Sequence, residues 1–243
     1  MTPGALTRIE LTTPDATLRF DRQADRYSHC LLVHPEDQLQ VLLQGVLADP
    51  NAPWPSDPPL QQLVLEPIGD REFPDVALGV GMSGHGHWSL AAQWLRTPGL
   101  ANSGPANSGL ANSGLANSRL ANSGKGSLAL EFDYACKLRP PVGFLGSTYR
   151  VVPQRYLPSG SSGLEWMRVE FGKQHWTGWF KESTAPSSTP SHKLSIAVLA
   201  GELQWDADSQ EITVRPVGSL EKPATLRWCY RVAWIACDGG FEF

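Results

Sequence analysis

The sequence predicts a mainly β protein: an antiparallel, curved sheet forming a barrel or a sandwich, with one packed amphipathic helix. Three observations lead there. Ser127 to Leu138 and Thr225 to Cys237 alternate apolar and polar residues for far longer than the usual strand of ~5–6 residues. Long antiparallel strands with one wet face imply strong curvature and closure. Shorter alternations recur along the chain between turn residues, and a single stretch, Leu39 to Leu47, carries helical spacing instead.

Taken in order, Thr7 to Thr12 places Ile9 and Leu11 on one face, and Ala16, Leu18 and Phe20 share a face of the next strand. His29 to Val33 reads as a third strand paired with the second. His34-Pro35-Glu36-Asp37 then has the form of a helix start, since proline fits the first helical position and acids complement the macrodipole. Leu39, Leu42, Leu43, Val46 and Leu47 follow at i, i+3, i+4, i+7 and i+8, which predicts a helix whose stripe covers a sheet face or an open end. Gly45 weakens that helix without overturning it.

Beyond a proline-rich loop holding Trp54, Leu63 to Glu66 and Val76 to Met82 are strands. Gly79 and Gly81 share one face of the latter, an arrangement that permits close approach by a neighbour. His85 to Trp94 sets Trp88, Leu90, Ala92 and Trp94 against His85, His87, Ser89 and Gln93. Its matched partner is Ser127 to Leu138, and between them lies Leu100 to Gly124, five tandem pentapeptides built on Leu-Ala-Asn-Ser-Gly. A pentapeptide solenoid needs a large apolar residue where this repeat has Ser103, Ser108, Ser113, Ser118 and Ser123. The repeat is therefore expected to be an extended loop, since closure cost rises only logarithmically with length.

Thr148 to Val152 is a short strand, and Leu164 to Phe171 has mixed faces, fitting a central or bulged strand. In His175 to Phe180, Trp176 and Trp179 have opposite parity, so at most one is core, and both join Trp54 as candidates for exposure. Leu194 to Leu199 follows, then a hairpin turning at Asp206 to Gln210. The last strand puts Trp228, Tyr230, Val232 and Trp234 on one face. One β-rich domain spanning residues 1–243, with 100–124 as an insertion, accounts for this order; a split into two domains at the repeat is the alternative.

Composition narrows function by exclusion. A net charge of −4 with scattered lysines and arginines speaks against nucleic acid or an anionic membrane as partner. No apolar run approaches the ~20 residues of a membrane helix. Arg8 and Glu10 interrupt the start, and Cys30, Cys136, Cys229 and Cys237 show no paired spacing, so buried reduced thiols and a cytoplasmic location are expected.

His85 and His87 stand at i and i+2, the spacing at which two imidazoles on a strand point the same way and can share a metal. Gly79-x5-His85-x-His87 resembles the opening of the first motif of cupins, metal-binding β-barrels, although the glutamate expected after the second histidine is absent. Gly172-Lys173-Gln174-His175 has the spacing that ends the second cupin motif, without its flanking proline and asparagine. The resemblance implies a three-histidine site at His85, His87 and His175 holding zinc, iron or manganese. Glu131 and Asp133 share a strand face near Lys137 and are a second, acid–base candidate, while Ser28-His29-Cys30 has no chemistry without tertiary geometry. No nucleophile elbow, phosphate loop or dinucleotide fingerprint is present. The expectation is a non-catalytic protein without a cofactor that binds an unidentified ligand or protein; a cupin-like enzyme and a carbohydrate-recognition module are the alternatives.

Replacing Leu100 to Gly124 by a short glycine-containing turn should leave the fold intact, because the insert is too polar to bury and the flanking alternations match. Thermal melts of the shortened chain test this; a lost cooperative transition would mean that the repeat packs.

Overall fold

The computed structural model describes residues 8–34, 40–46, 55–84, 86–97, 127–139, 142–152, 164–182 and 190–237, and among these there are fifteen strands and no helix. β1 (Arg8–Thr12), β2 (Ala16–Gln23) and β3 (Arg26–Val33) open the fold, followed by β4 (Gln40–Gly45), β5 (Leu60–Glu66) and β6 (Val76–Ser83). The long pair β7 (Gly86–Thr97) and β8 (Ser127–Leu138) precedes β9 (Ser147–Val151), β10 (Leu164–Gly172) and β11 (His175–Glu182). β12 (His192–Ala200), β13 (Glu202–Asp206), β14 (Glu211–Arg215) and β15 (Ala224–Ala236) complete it.

All pairings are antiparallel and all fifteen strands belong to one sheet, thirteen of them in the order β10-β11-β12-β15-β8-β7-β6-β5-β3-β4-β9-β14-β13, with β1 paired to β2 and β2 branching from β3. β3 is a branch point: one edge pairs with β2 along its length, and the other is shared by β4 and the first residue of β5. The sheet curls until its two ends nearly meet, where Leu203 N–H of β13 donates to Lys173 O in the β10–β11 turn at 2.8 Å. Near closure removes most of the exposed edge that so large a sheet would otherwise present.

The alternation in the sequence maps onto the inside and outside of this barrel. Leu130, Phe132, Tyr134, Cys136 and Leu138 of β8 point inward beside Trp228, Tyr230 and Val232 of β15, all with at most 2% exposure. Outside, Arg227 pairs with Asp133, and Arg231 Nε lies 2.8 Å from Glu131 Oε2, directly across the ladder. β7 and β8 pair from His87–Lys137 to Thr97–Ser127, so the strands flanking the pentapeptide repeat are hairpin partners. Leu100 to Gly124 itself lies outside the described residues. The glycines of β6 face close neighbours: a Cβ at Gly81 would fall 1.8 Å from the Pro59 carbonyl oxygen, and one at Gly79 would touch Leu60 and Leu63.

The expected helix at Leu39 to Leu47 is corrected to a strand over its described part, β4. The β3–β4 ladder shifts register between Leu31 and Leu32, which pair with Leu43 and Val41, so Leu42 is the extra residue of a β-bulge. A bulge reverses side-chain parity and buries Leu42 and Leu43 together, an adjacency that also occurs on a helix stripe. Trp176 is another correction: it is fully buried, 5.4 Å from Trp205, whereas Trp179 is partly exposed. Trp54 lies outside the described residues. β10 is bulged between Trp166 and Arg168 and is a terminal rather than central strand.

Trp228 and Trp234, given one face by the sequence, differ in depth. Trp228 is fully enclosed, while Trp234 is half-buried against Phe180 and His192. Trp228→Ala should cost ~3–5 kcal/mol in chemical denaturation and Trp234→Ala clearly less, because only the first leaves a sealed cavity. Equal losses would place the two indoles at the same depth.

Candidate functional site

The barrel interior is not uniformly apolar. His29 of β3 and Tyr149 of β9 line one wall; Tyr134 of β8 and Tyr230 and Trp228 of β15 line the opposite one. His29 Nε2 lies 2.8 Å from the Tyr149 hydroxyl, which in turn is hydrogen-bonded to the Tyr230 hydroxyl. Trp228 Nε1–H donates to Ser147 Oγ at 3.0 Å, a second bond across the lumen. On the other side of the imidazole, Asp57 Oδ2 lies 3.3 Å from Nδ1.

Local sequence explains how Asp57 reaches the interior. Residues 55–60 are buried apart from a half-buried Ser56, which fastens them: its hydroxyl donates to Val46 O at 2.6 Å, while its carbonyl accepts from Thr148 N–H at 3.0 Å. Asp57 is thereby pushed beneath Gly45, where a Cβ would lie 2.8 Å from its Oδ2. The glycine that weakens a helix reading is what makes room for the carboxylate.

His29, Asp57, Ser147, Tyr134, Tyr149, Tyr230 and Trp228 all have at most 4% exposure. Burial drives the phenols of Tyr134 and Tyr149 well above their ordinary titration range, and Tyr230 rises for the same first reason. The nearby Asp57 carboxylate adds to this in all three. The Tyr134 hydroxyl and both Asp57 oxygens lack a hydrogen bond of ordinary geometry, so the cluster retains unused polar capacity. Which way the His29–Tyr149 bond runs depends on the imidazole tautomer; the carboxylate on the Nδ1 side favours the one in which Nε2 accepts from the Tyr149 hydroxyl. The arrangement is an acid–base chain running Asp57, His29, Tyr149, Tyr230.

A cleft of ≈ 340 Å³ opens between the lead-in to β9 and the tail of β14. Phe144, Leu145, Val217 and Leu220 supply apolar wall, and Arg215 and Glu202, directly paired across the β13–β14 ladder, stand 3.0 Å apart at its side. Leu145 is two residues before Ser147. Gly201, beside Glu202, backs onto Trp228, so that a Cβ on this glycine would lie 3.4 Å from the Trp228 Cβ. The cleft thus adjoins one end of the interior cluster.

The sequence-predicted residues lie elsewhere. His85 is outside the described residues. His87 and His175 are exposed on the outer face of β7 and β11, with β8, β15 and β12 between them, so the sheet does not bring these two together. Among the described residues no three His, Cys, Asp or Glu side chains are grouped to hold a metal ion. Glu131 and Asp133 are matched to Arg231 and Arg227 on the outer surface. The four cysteines are free; burial pushes the Cys136 thiol up to about 12 and Cys229 to about 11, which leaves them weak nucleophiles at neutral pH. Sequence reasoning missed Asp57, Tyr149 and Tyr230. The available signal was a lone histidine on the inward parity of a strand, His29.

Compared with protein-family models, curated proteins and solved structures, the chain matches none. Among the described residues no helix is long and apolar enough to cross a membrane.

The three buried phenols give a definite pH dependence. Their titration is raised in the folded state, so the unfolded chain loses its tyrosine protons first, and stability present below the unfolded value near ~10 is lost as pH rises above it. Denaturant midpoints should fall steadily above that pH, and tyrosinate absorbance from these three should appear only with unfolding. Titration of all the phenols without loss of structure would mean that the interior is wet.

Proposed function

We propose that this chain is a non-catalytic, cytoplasmic binding protein whose ligand is a small amphiphile seated in the cleft beside Arg215. The cleft carries this reading. Its ≈ 340 Å³ lies within the ~300–1,000 Å³ range of small-molecule sites, and it combines apolar walls with a fixed ion pair. Phe144, Leu145, Val217 and Leu220 suit an apolar body, and Arg215 suits a carboxylate that competes with Glu202 for the guanidinium. The barrel lumen is a poorer receptacle, because Trp228, Tyr134, Tyr149, Tyr230 and Phe20 already fill it. Free thiols at Cys30 and Cys136 support a reducing compartment. The outward Arg–Glu and Arg–Asp pairs are the reverse of the apolar band a lipid-facing barrel presents. Neither a cupin-like metal enzyme nor a carbohydrate module gains a comparable observation.

Protein-detected NMR with octanoate and 3-phenylpropionate, each set against its neutral amide, tests the proposal. At least one carboxylate should shift resonances around residues 143–145 and 215–220, its amide should bind more weakly, and Arg215→Ala or a cleft-filling Leu220→Trp should abolish the response. No shifts at these residues, or unchanged binding by Leu220→Trp, would overturn it.

A further inference from the structure

The interior chain of Asp57, His29, Tyr149 and Tyr230 has no part in ligand binding at the cleft, and its geometry fits a different chemistry. We propose that Tyr149 is a redox-active tyrosine, which gives one electron to a strong outer-sphere oxidant while its phenolic proton passes to His29. In this step the Tyr149 O–H bond breaks, an N–H bond forms at His29 Nε2, and the electron leaves to reduce the oxidant. The products are a neutral tyrosyl radical, an imidazolium and the reduced oxidant. The oxidant class is a high-potential oxidised metal complex that needs no bond to the protein.

Four features support the assignment. First, proton transfer requires a base within hydrogen-bond reach, and Nε2 stands 2.8 Å from the hydroxyl with Nδ1 turned to Asp57. Second, Asp57 Oδ2 lies 3.3 Å from Nδ1, so a carboxylate stands behind the imidazole that receives the proton, and opposite charge placed there lowers the cost of forming an imidazolium inside the barrel. The side chains facing His29 are Phe20 from β2, Phe132 from β8, Tyr149 from β9 and Asp57, with the phenols of Tyr134 and Tyr230 beyond, so Asp57 supplies the counter-charge. Third, burial raises the Tyr149 phenol well above its ordinary range, so at neutral pH the hydroxyl proton is in place to pass to His29. Fourth, the Tyr230 hydroxyl is hydrogen-bonded to the Tyr149 oxygen, and once the Tyr149 proton is on His29 it is the group left to donate to the radical oxygen.

A route for the electron is present too. The Tyr149 and Tyr230 ring centroids are 6.0 Å apart, Tyr230 and Tyr134 are 6.3 Å apart, and Tyr134 stacks on Trp228 at 5.2 Å with an 11° interplanar angle. Trp228 in turn packs under Gly201, whose backbone continues into Glu202 at the cleft. An oxidant at that surface reaches Tyr149 by short aromatic steps rather than one long transfer, whichever ligand the cleft takes.

The test uses the full chain and photogenerated ruthenium(III) tris-bipyridine, with freeze-trapped electron paramagnetic resonance. Wild-type protein should give a neutral tyrosyl radical coupled to exchangeable protons that disappear in deuterium oxide, and Tyr149→Phe should abolish it while Tyr27→Phe leaves it. His29→Gln should slow radical formation roughly 10²-fold, the scale of a lost positioned base. The wild-type proton coupling and a solvent isotope effect on its formation rate need no variant and so survive any folding failure. A radical without that coupling, a signal on tryptophan alone, no signal, or undiminished yield in folded Tyr149→Phe would each overturn the assignment.

Discussion

The two hydrogen bonds that cross the lumen, Tyr149 to Tyr230 and Trp228 to Ser147, hold the rest of the barrel to one geometry. Burial of the inner face sets the register of each strand pair, but it leaves the separation of opposite walls less sharply defined. Bonds between opposite walls define it. They exist only when β9 faces β15 at one separation and one register, and β9 in turn fixes β4 and β14 through its two edges. Aromatic packing fills the remaining space: Phe132 lies against Tyr134, Tyr230 and Tyr149 at centroid separations of 5.1 to 6.2 Å. Dispersion supplies most of the energy there, and the polar bonds supply the specificity.

The same constraint explains the unusual entry of Asp57. A carboxylate taken out of water needs a polar partner, and His29 is the one at hand, its Nδ1 3.3 Å from Oδ2. Each piece of the surrounding backbone has a local reason to be there. Gly45 leaves space for the carboxylate, Ser56 ties its loop to the ends of β4 and β9, and the bulge at Leu42 places Gly45 on the inward parity at that point. Removing any of these would move the acid relative to the imidazole, so the electrostatics of the core depend on residues with no charge of their own.

Much of the fold was legible because burial on one side of a strand writes a period of two into the chain, as in Ser127 to Leu138. Where the backbone departs from regular pleat, that code fails. At Leu42 and Leu43 the bulge mimicked helical spacing, and Trp176 turned inward although its own short strand offered no clear face. The site was harder to read for a different reason. Asp57, His29, Tyr149 and Tyr230 come from four distant segments, and each looks ordinary where it stands: an acid in a proline-rich loop, a histidine among apolar residues, a tyrosine beside an arginine. Only the closure of the sheet makes them neighbours. Histidines in a recognisable local pattern, by contrast, proved exposed at His87 and His175.

Polar groups inside and outside the barrel answer to different physics. The outer ion pairs of Arg227 and Arg231 are screened by water and contribute little to stability, so charge there is easily kept and easily changed. In the lumen a phenylalanine would fill a tyrosine's volume without the desolvation penalty of its hydroxyl, as Phe20 and Phe132 already do beside the cluster. A pair of tyrosines bridging the walls offsets that penalty with a bond that sets register. Tyr134 forms no well-shaped hydrogen bond of its own, and the hydroxyls of Tyr149 and Ser147 are its polar surroundings. Register alone therefore accounts for Tyr149 and Tyr230 but not for the third phenol. Its ring packs in the core between Trp228 and Tyr230, the position that the proposed electron route passes through.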